Sequence, residues 1–135
     1  MRRLPPVTLK MPDGAPFTPD WRRYAVTVVA MLHDSNCHVC RAHCRLYAAA
    51  KERLAEWDAN LLLVWRGSKV PNGCEGVLDE SGAARRAWLD GDAAGVLLVD
   101  RNGVVVRHWN ASGKGFPSVE EVLAAVKHAV LQCPE

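Results

Sequence analysis

No stretch of the sequence is apolar for long enough to cross a bilayer. The opening residues MRRLPPVTLK carry two arginines but no apolar segment behind them, so no secretory signal is expected there and a cytoplasmic location is the expectation. Neither sign of charge is in excess: 17 Lys and Arg stand against 15 Asp and Glu, and both signs are mixed along the chain. Nucleic acid and membrane are therefore not expected as partners. Internal repeats and low-complexity tracts are absent. The cysteines number five, an odd count that does not suit a fully paired secreted framework. Cys37, Cys40 and Cys44 fall within eight residues, a clustering that points to redox chemistry or metal rather than to stapling. A chain of 135 residues can bury a core without staples. One domain over residues 1–135 is expected, with 1–6 disordered.

What is present alternates between apolar strands and helices. Residues 7–9 suit a short edge strand, and Pro12-Asp13-Gly14 a turn. Thr18-Pro19 reads as a helix start in a lead-in anchored by Trp21. Residues 25–32, AVTVVAML, form a nearly continuous apolar run, the pattern of a strand buried on both faces. From Cys37 or Val39 to about Trp57 no glycine or proline interrupts a helical composition, and Tyr47, Ala50, Leu54 and Trp57 share its core face. Residues 60–66 read as a second buried strand, 67–79 as a loop, and 81–89 as a short helix with Trp88 inward. Residues 91–95 form a linker and 96–100 a third strand. Asp100-Arg101-Asn102-Gly103 then turns the chain into a return strand. A glycine-rich loop over 111–116 follows. Ser118-Val119-Glu120-Glu121 is a capping box ahead of an apolar-periodic helix that ends near Cys133. The alternation predicts an α/β fold: a central mixed sheet, mostly parallel with a C-terminal antiparallel hairpin, with helices on both faces.

The chemistry gathers where the first long strand passes through His33-Asp34-Ser35-Asn36 into the helix. Cys37 and Cys40 are three apart at a helix start, so both sulfurs lie on one side and can bridge. A thiolate there meets free backbone N–H groups and the positive end of the helix dipole, which favour it at neutral pH. Cys37, nearer the tip, is the expected attacking sulfur; Cys40, one turn in, is the expected resolving sulfur. Ser35 and Asn36 are candidate caps and donors to the thiolate. His38 is the candidate for tuning Cys37, and Arg41 adds a cation in the first turn. His33 and His43 carry weaker signals. Cys44 lies on the same helical side as Cys40. It suits a small core residue, an extra resolving thiol or a third metal ligand. Cys74 and Cys133 read as bystander thiols, with a distant resolving cysteine as the alternative for either.

These residues resemble the thioredoxin superfamily, and within it the redoxin, peroxiredoxin-like branch. The likeness spans roughly residues 7–131. It is carried by PDGAPFTPDWRRYAVTVVAML, by Cys37-His38-Val39-Cys40 opening the long helix, by VLLVDRNGVVV with its strand–Asp–x–x–Gly–strand hairpin, and by the closing helix. The resemblance implies a thioredoxin-like fold, Cys37 as nucleophile, Cys40 as resolver, and thiol–disulfide exchange without a cofactor. Related implied roles are cell redox homeostasis and antioxidant defence. The chain departs from the family's pattern at several places. Asn36 stands where an aromatic residue is usual. Ala94, with Gly95 next, stands where a cis-proline usually faces the cysteine pair. No acid lies in the strand before the motif. Ala30 and Asp34 occupy the Pro and Thr/Ser places of the peroxidase signature.

The leading expectation is a thiol–disulfide oxidoreductase, acting as a monomer on protein or small-molecule disulfides and thiols. Two alternatives stand beside it. One is a metal or iron–sulfur module built on Cys37, Cys40 and Cys44 with nearby histidine. The other is a peroxiredoxin-like peroxidase.

Overall fold

The computed structural model describes residues 2–90, 93–111 and 115–132. Parts of the linker at 91–95 and of the loop at 111–116, and Cys133, lie outside these residues. The chain forms strands β1 (Leu9–Lys10) and β2 (Pro16–Phe17), a 3-10 turn (Trp21–Arg23), β3 (Val26–Met31), helices α1 (His38–Ala49) and α2 (Lys51–Ala55), β4 (Ala59–Arg66), β5 (Val77–Asp79), α3 (Ala83–Trp88), β6 (Gly95–Asp100), β7 (Val105–Asn110) and α4 (Val119–Gln132). The strands lie side by side in the order β2-β1-β5-β4-β3-β6-β7.

The apolar run at 25–32 becomes β3, which is buried along its whole length between β4 and β6. Its side chains divide by period two. Val26, Val28 and Ala30 join a core with Cys40, Cys44, Tyr47 and Leu54 and with Val122, Leu123 and Val126 of α4. Val29 and Met31 face the opposite core, which holds Leu4, Leu9, Ala84, Trp88 and Leu89. Helices thus cover both faces, as the double burial of β3 requires. Trp21 meets Trp88 edge-on at 5.8 Å, and the Trp88 indole donates to the Pro5 carbonyl at 2.9 Å.

Six expectations need correction. The sheet is mixed but not mostly parallel: β3–β4 and β4–β5 are its parallel pairs, and the other four are antiparallel. The cause is the shortness of α3. Six residues of helix span about 9 Å, against roughly 20 Å for a six-residue strand, so the chain re-enters the sheet at the end it left. Second, the expected loop at 67–79 contains β5, which is too short to show a period of its own. Third, the long helix breaks at Ala50, whose N–H turns back to the Tyr47 carbonyl at 3.0 Å, giving α1 and α2. Fourth, the start of the chain is tied down. Arg3 bridges Val104, and Leu4 is buried with its N–H donating to the Gly103 carbonyl. The edge strand expected at 7–9 begins at Leu9 and pairs back with β2, and the helix start expected at Thr18 is the 3-10 turn capped by Asp20.

The C-terminal signals hold. The Asp100 carboxylate accepts from the N–H groups of Asn102 at 2.8 Å and Val104 at 3.1 Å, which closes the β6–β7 hairpin. The Ser118 hydroxyl accepts from the Glu121 N–H at 3.1 Å, as a capping residue should. No described helix is long and apolar enough to cross a membrane.

Candidate active site

The site forms where β3 ends and α1 begins. Past Met31 the chain stays paired to β4: the Leu32 N–H donates to the Val64 carbonyl at 2.8 Å, and the Arg66 N–H to the His33 carbonyl at 2.9 Å. His33 is therefore fixed by the sheet. Asp34 then makes a tight turn, its carboxylate accepting the Asn36 N–H at 3.0 Å and its carbonyl accepting the Cys37 N–H at 3.2 Å.

That turn places Cys37 as the cap of α1. Its sulfur accepts the Cys40 N–H at 3.3 Å, the position a serine or aspartate oxygen takes at an ordinary helix start. Negative charge on this atom answers an otherwise unpaired donor and the helix dipole together. Cys40 lies one turn in and is fully buried, whereas Cys37 is half-buried.

His33 completes the group. Its backbone N–H donates to the Cys40 sulfur at 3.2 Å, and its Nδ1 lies 3.3 Å from that sulfur and 3.7 Å from Cys37 Sγ. Burial pushes the Cys40 thiol up to about 12, and its hydrogen bond with Cys37 adds to the rise. The His33 N–H and the positive charge of Arg85 pull the other way. A buried thiol of this kind needs a base close by to lose its proton, and His33 Nδ1 is within reach.

Beneath the motif sits Arg85 on α3. Its guanidinium is buried and donates to the Leu32 carbonyl, one residue before His33. Burial lowers its affinity for a proton, and the buried carboxylate of Asp79 counters that. Asp79 in turn accepts from the N–H groups of Ala84 at 3.0 Å and Arg85 at 2.9 Å, which fixes the start of α3. The sequence reading missed both residues. Arg85 is one of two adjacent arginines in an alanine-rich helix, and nothing local separates the buried one from its exposed neighbour.

The other expected residues distribute as follows. His38 is drawn to Arg41, its Nδ1 2.6 Å from the guanidinium, so the imidazole beside the sulfurs is that of His33 instead. Ser35 offers its carbonyl to Arg41 at 3.5 Å, and Asn36 is held by Asp34; the cap is Cys37 itself. Cys44 is buried one turn further on, where its thiol donates to the Glu75 carbonyl at 3.8 Å and hydrogen bonds Cys74. Burial pushes it up to about 11. Among the described residues the group able to hold a metal is His33, Cys37 and Cys40, which replaces the set with Cys44. His43 packs between Tyr47 and Phe116, and burial lowers its proton affinity. Ala94 is buried next to Gly95, which pairs with Met31 at the end of β3, so both lie at the cysteine end of the sheet. A Cβ at Gly95 would stand 2.6 Å from the Trp109 carbonyl, so only glycine lets β7 approach here.

No family model matches the sequence. No curated protein matches it. Solved structures do match over nearly the whole chain. Peroxiredoxin Q of Xanthomonas campestris superposes with a TM-score of 0.75 at 20% identity, over 96% of this chain and 98% of that one. The exposed lipoprotein thioredoxin of Streptococcus pneumoniae gives 0.72 at 15% identity, over 92% and 99%. A thiol:disulfide interchange protein of the thioredoxin family from Chlorobium tepidum gives 0.71 at 16%, over 95% of each. The fold of this chain is thioredoxin-like.

Proposed function

We propose that the chain is a thiol–disulfide oxidoreductase working at Cys37 and Cys40. The observation that carries the reading is the Cys37 sulfur accepting the Cys40 N–H at the head of α1, with Cys40 buried behind it. The thioredoxin-like fold supports the same reading.

The Cys37 thiolate attacks one sulfur of a substrate disulfide. A mixed disulfide forms, and the other substrate sulfur leaves as a thiolate. His33 Nδ1 takes the proton of Cys40. The Cys40 thiolate then attacks Cys37 Sγ, forming the internal disulfide and releasing the second substrate thiolate. Two electrons pass from the protein dithiol to the substrate, and each step reverses. Arg85 stabilises the transient Cys40 anion from below. The more accessible sulfur begins the reaction and the buried one ends it, because attack needs access whereas resolution needs only its neighbour.

A single domain over residues 1–135, a cytoplasmic location and action as a monomer on protein or small-molecule disulfides belong to the same proposal. Peroxide reduction does not, since Ala30 and Asp34 stand at the places of the peroxidase signature. Cys37→Ser is expected to abolish turnover of a disulfide substrate, and Cys40→Ser to permit one attack and then stall. Full steady-state activity in Cys37→Ser would overturn the assignment.

A further inference from the structure

We propose that the reduced protein binds one zinc ion through His33 Nδ1, Cys37 Sγ and Cys40 Sγ, with the fourth position open to solvent. The inference uses the sulfurs of the exchange reading but stands on a separate observation, the three-donor triangle that His33 completes.

The three donor atoms lie within 4.8 Å of one another. Zinc holds sulfur at about 2.3 Å and imidazole nitrogen at about 2.0–2.1 Å, so a tetrahedral ion spaces a nitrogen and a sulfur ligand about 3.6 Å apart. The observed separations from His33 Nδ1 are 3.3 Å to Cys40 Sγ and 3.7 Å to Cys37 Sγ. Two sides of the triangle thus come close to the spacing of zinc ligands, and the third is within 4.8 Å. His33 and Cys37 are only partly buried, which leaves that face approachable from solvent.

Outer contacts favour the same state. Each sulfur accepts one backbone N–H: Cys40 from His33 at 3.2 Å and Cys37 from Cys40 at 3.3 Å. Such bonds hold thiolate ligands in place and stabilise their charge. The donor set suits a divalent ion: two thiolates and a neutral imidazole carry −2, which a divalent soft-ligand ion balances, and zinc suits two sulfurs and one nitrogen.

Metal and disulfide then exclude each other. A zinc-loaded dithiolate that meets a low-molecular-weight disulfide and two protons yields the Cys37–Cys40 disulfide, free zinc and two small thiols. Oxidation releases the ion, and reduction restores its site.

The test is a zinc titration of the full-length reduced chain under argon, in competition with a chromogenic chelator. One equivalent should bind. His33→Ala should weaken binding by more than the roughly 10–100-fold that loss of an outer-shell partner costs. Cys44→Ser should leave it unchanged, and the disulfide form should not bind. Cobalt should give a tetrahedral spectrum with thiolate charge transfer that Cys37→Ser diminishes. Should His33→Ala or Cys37→Ser fail to fold, wild-type protein answers alone, because zinc must slow alkylation of Cys37 and not of Cys74. No stoichiometric binding, a loss in His33→Ala no larger than the roughly 100-fold of an outer-shell partner, or loss of binding in Cys44→Ser would each overturn the site. Exchange assays run with excess chelator report on the redox reading separately.

Discussion

His33 holds the Cys40 sulfur twice, through its backbone N–H at 3.2 Å and its imidazole Nδ1 at 3.3 Å. The first contact is fixed by the sheet, and the second can move a proton. Replacing the imidazole tests them separately. His33→Ala keeps the backbone donor and removes the base, so first attack by Cys37 should proceed and release of the mixed disulfide should slow. A well-placed base contributes about 10²–10⁴-fold, and a loss near the lower figure is expected at neutral pH. The deficit should shrink as pH rises, because solvent then deprotonates Cys40. Rapid-mixing kinetics with a chromogenic disulfide separates the two phases, and equal slowing of both would show that His33 acts on Cys37 as well.

The buried Cys40 thiol also leaves a mark on stability. Burial raises it from 9.0 to about 12, so the folded state keeps a proton that the unfolded state gives up. Its contribution is intact below about pH 9, the unfolded value, and fades as pH climbs toward 12. Thermal melts should drop across that window. Cys40→Ser, which lacks the titrating thiol, should show a shallower drop, with the remainder reflecting Cys44, raised to about 11, and Tyr47, which burial also raises.

Asp79 and Ser118 both accept N–H groups at a helix start, but Asp79 is buried and faces Arg85. Ser118→Ala should cost about 1 kcal/mol, an ordinary cap. Asp79→Ala should cost about 2 kcal/mol or more, because it leaves two buried N–H donors unpaired and removes the charge that favours the buried Arg85 guanidinium. Chemical denaturation of the two variants checks the order, and a smaller loss in Asp79→Ala would show that Arg85 does not depend on its partner.

Gly95→Ala introduces a Cβ 2.6 Å from the Trp109 carbonyl, a backbone atom that cannot swing away. Overpacking of this kind costs about 1–3 kcal/mol, and the strain falls on the β6–β7 pairing. Hydrogen exchange should quicken at Trp109 and Asn110 before it does in β3. Uniform exchange would place the strain elsewhere.

Much of this architecture was legible from residue pattern alone. The valine run of β3, the Cys37–Cys40 helix start, the Asp100–Gly103 turn and the Ser118 box each carry their signal within a few neighbouring residues. What escaped depends on distant contacts. β5 is three residues long, so it has no period to detect. The direction of β6 is set by how far α3 can carry the chain. The choice of His33 over His38 turns on geometry: His38 lies between the two cysteines in sequence, but its ring meets Arg41, whereas His33 approaches from the sheet. Arg85 reaches the motif from 45 residues beyond Cys40, a span no local pattern crosses.

The central claim is that Cys37 attacks first and Cys40 resolves. The most direct test is to mix Cys40→Ser with a slight excess of a peptide disulfide at neutral pH, quench in acid and map the adduct by mass spectrometry. The account predicts one stable mixed disulfide per chain, on Cys37, with Cys44 and Cys74 left as thiols. An adduct shared among the cysteines, or one on Cys74 with Cys37 untouched, would contradict it.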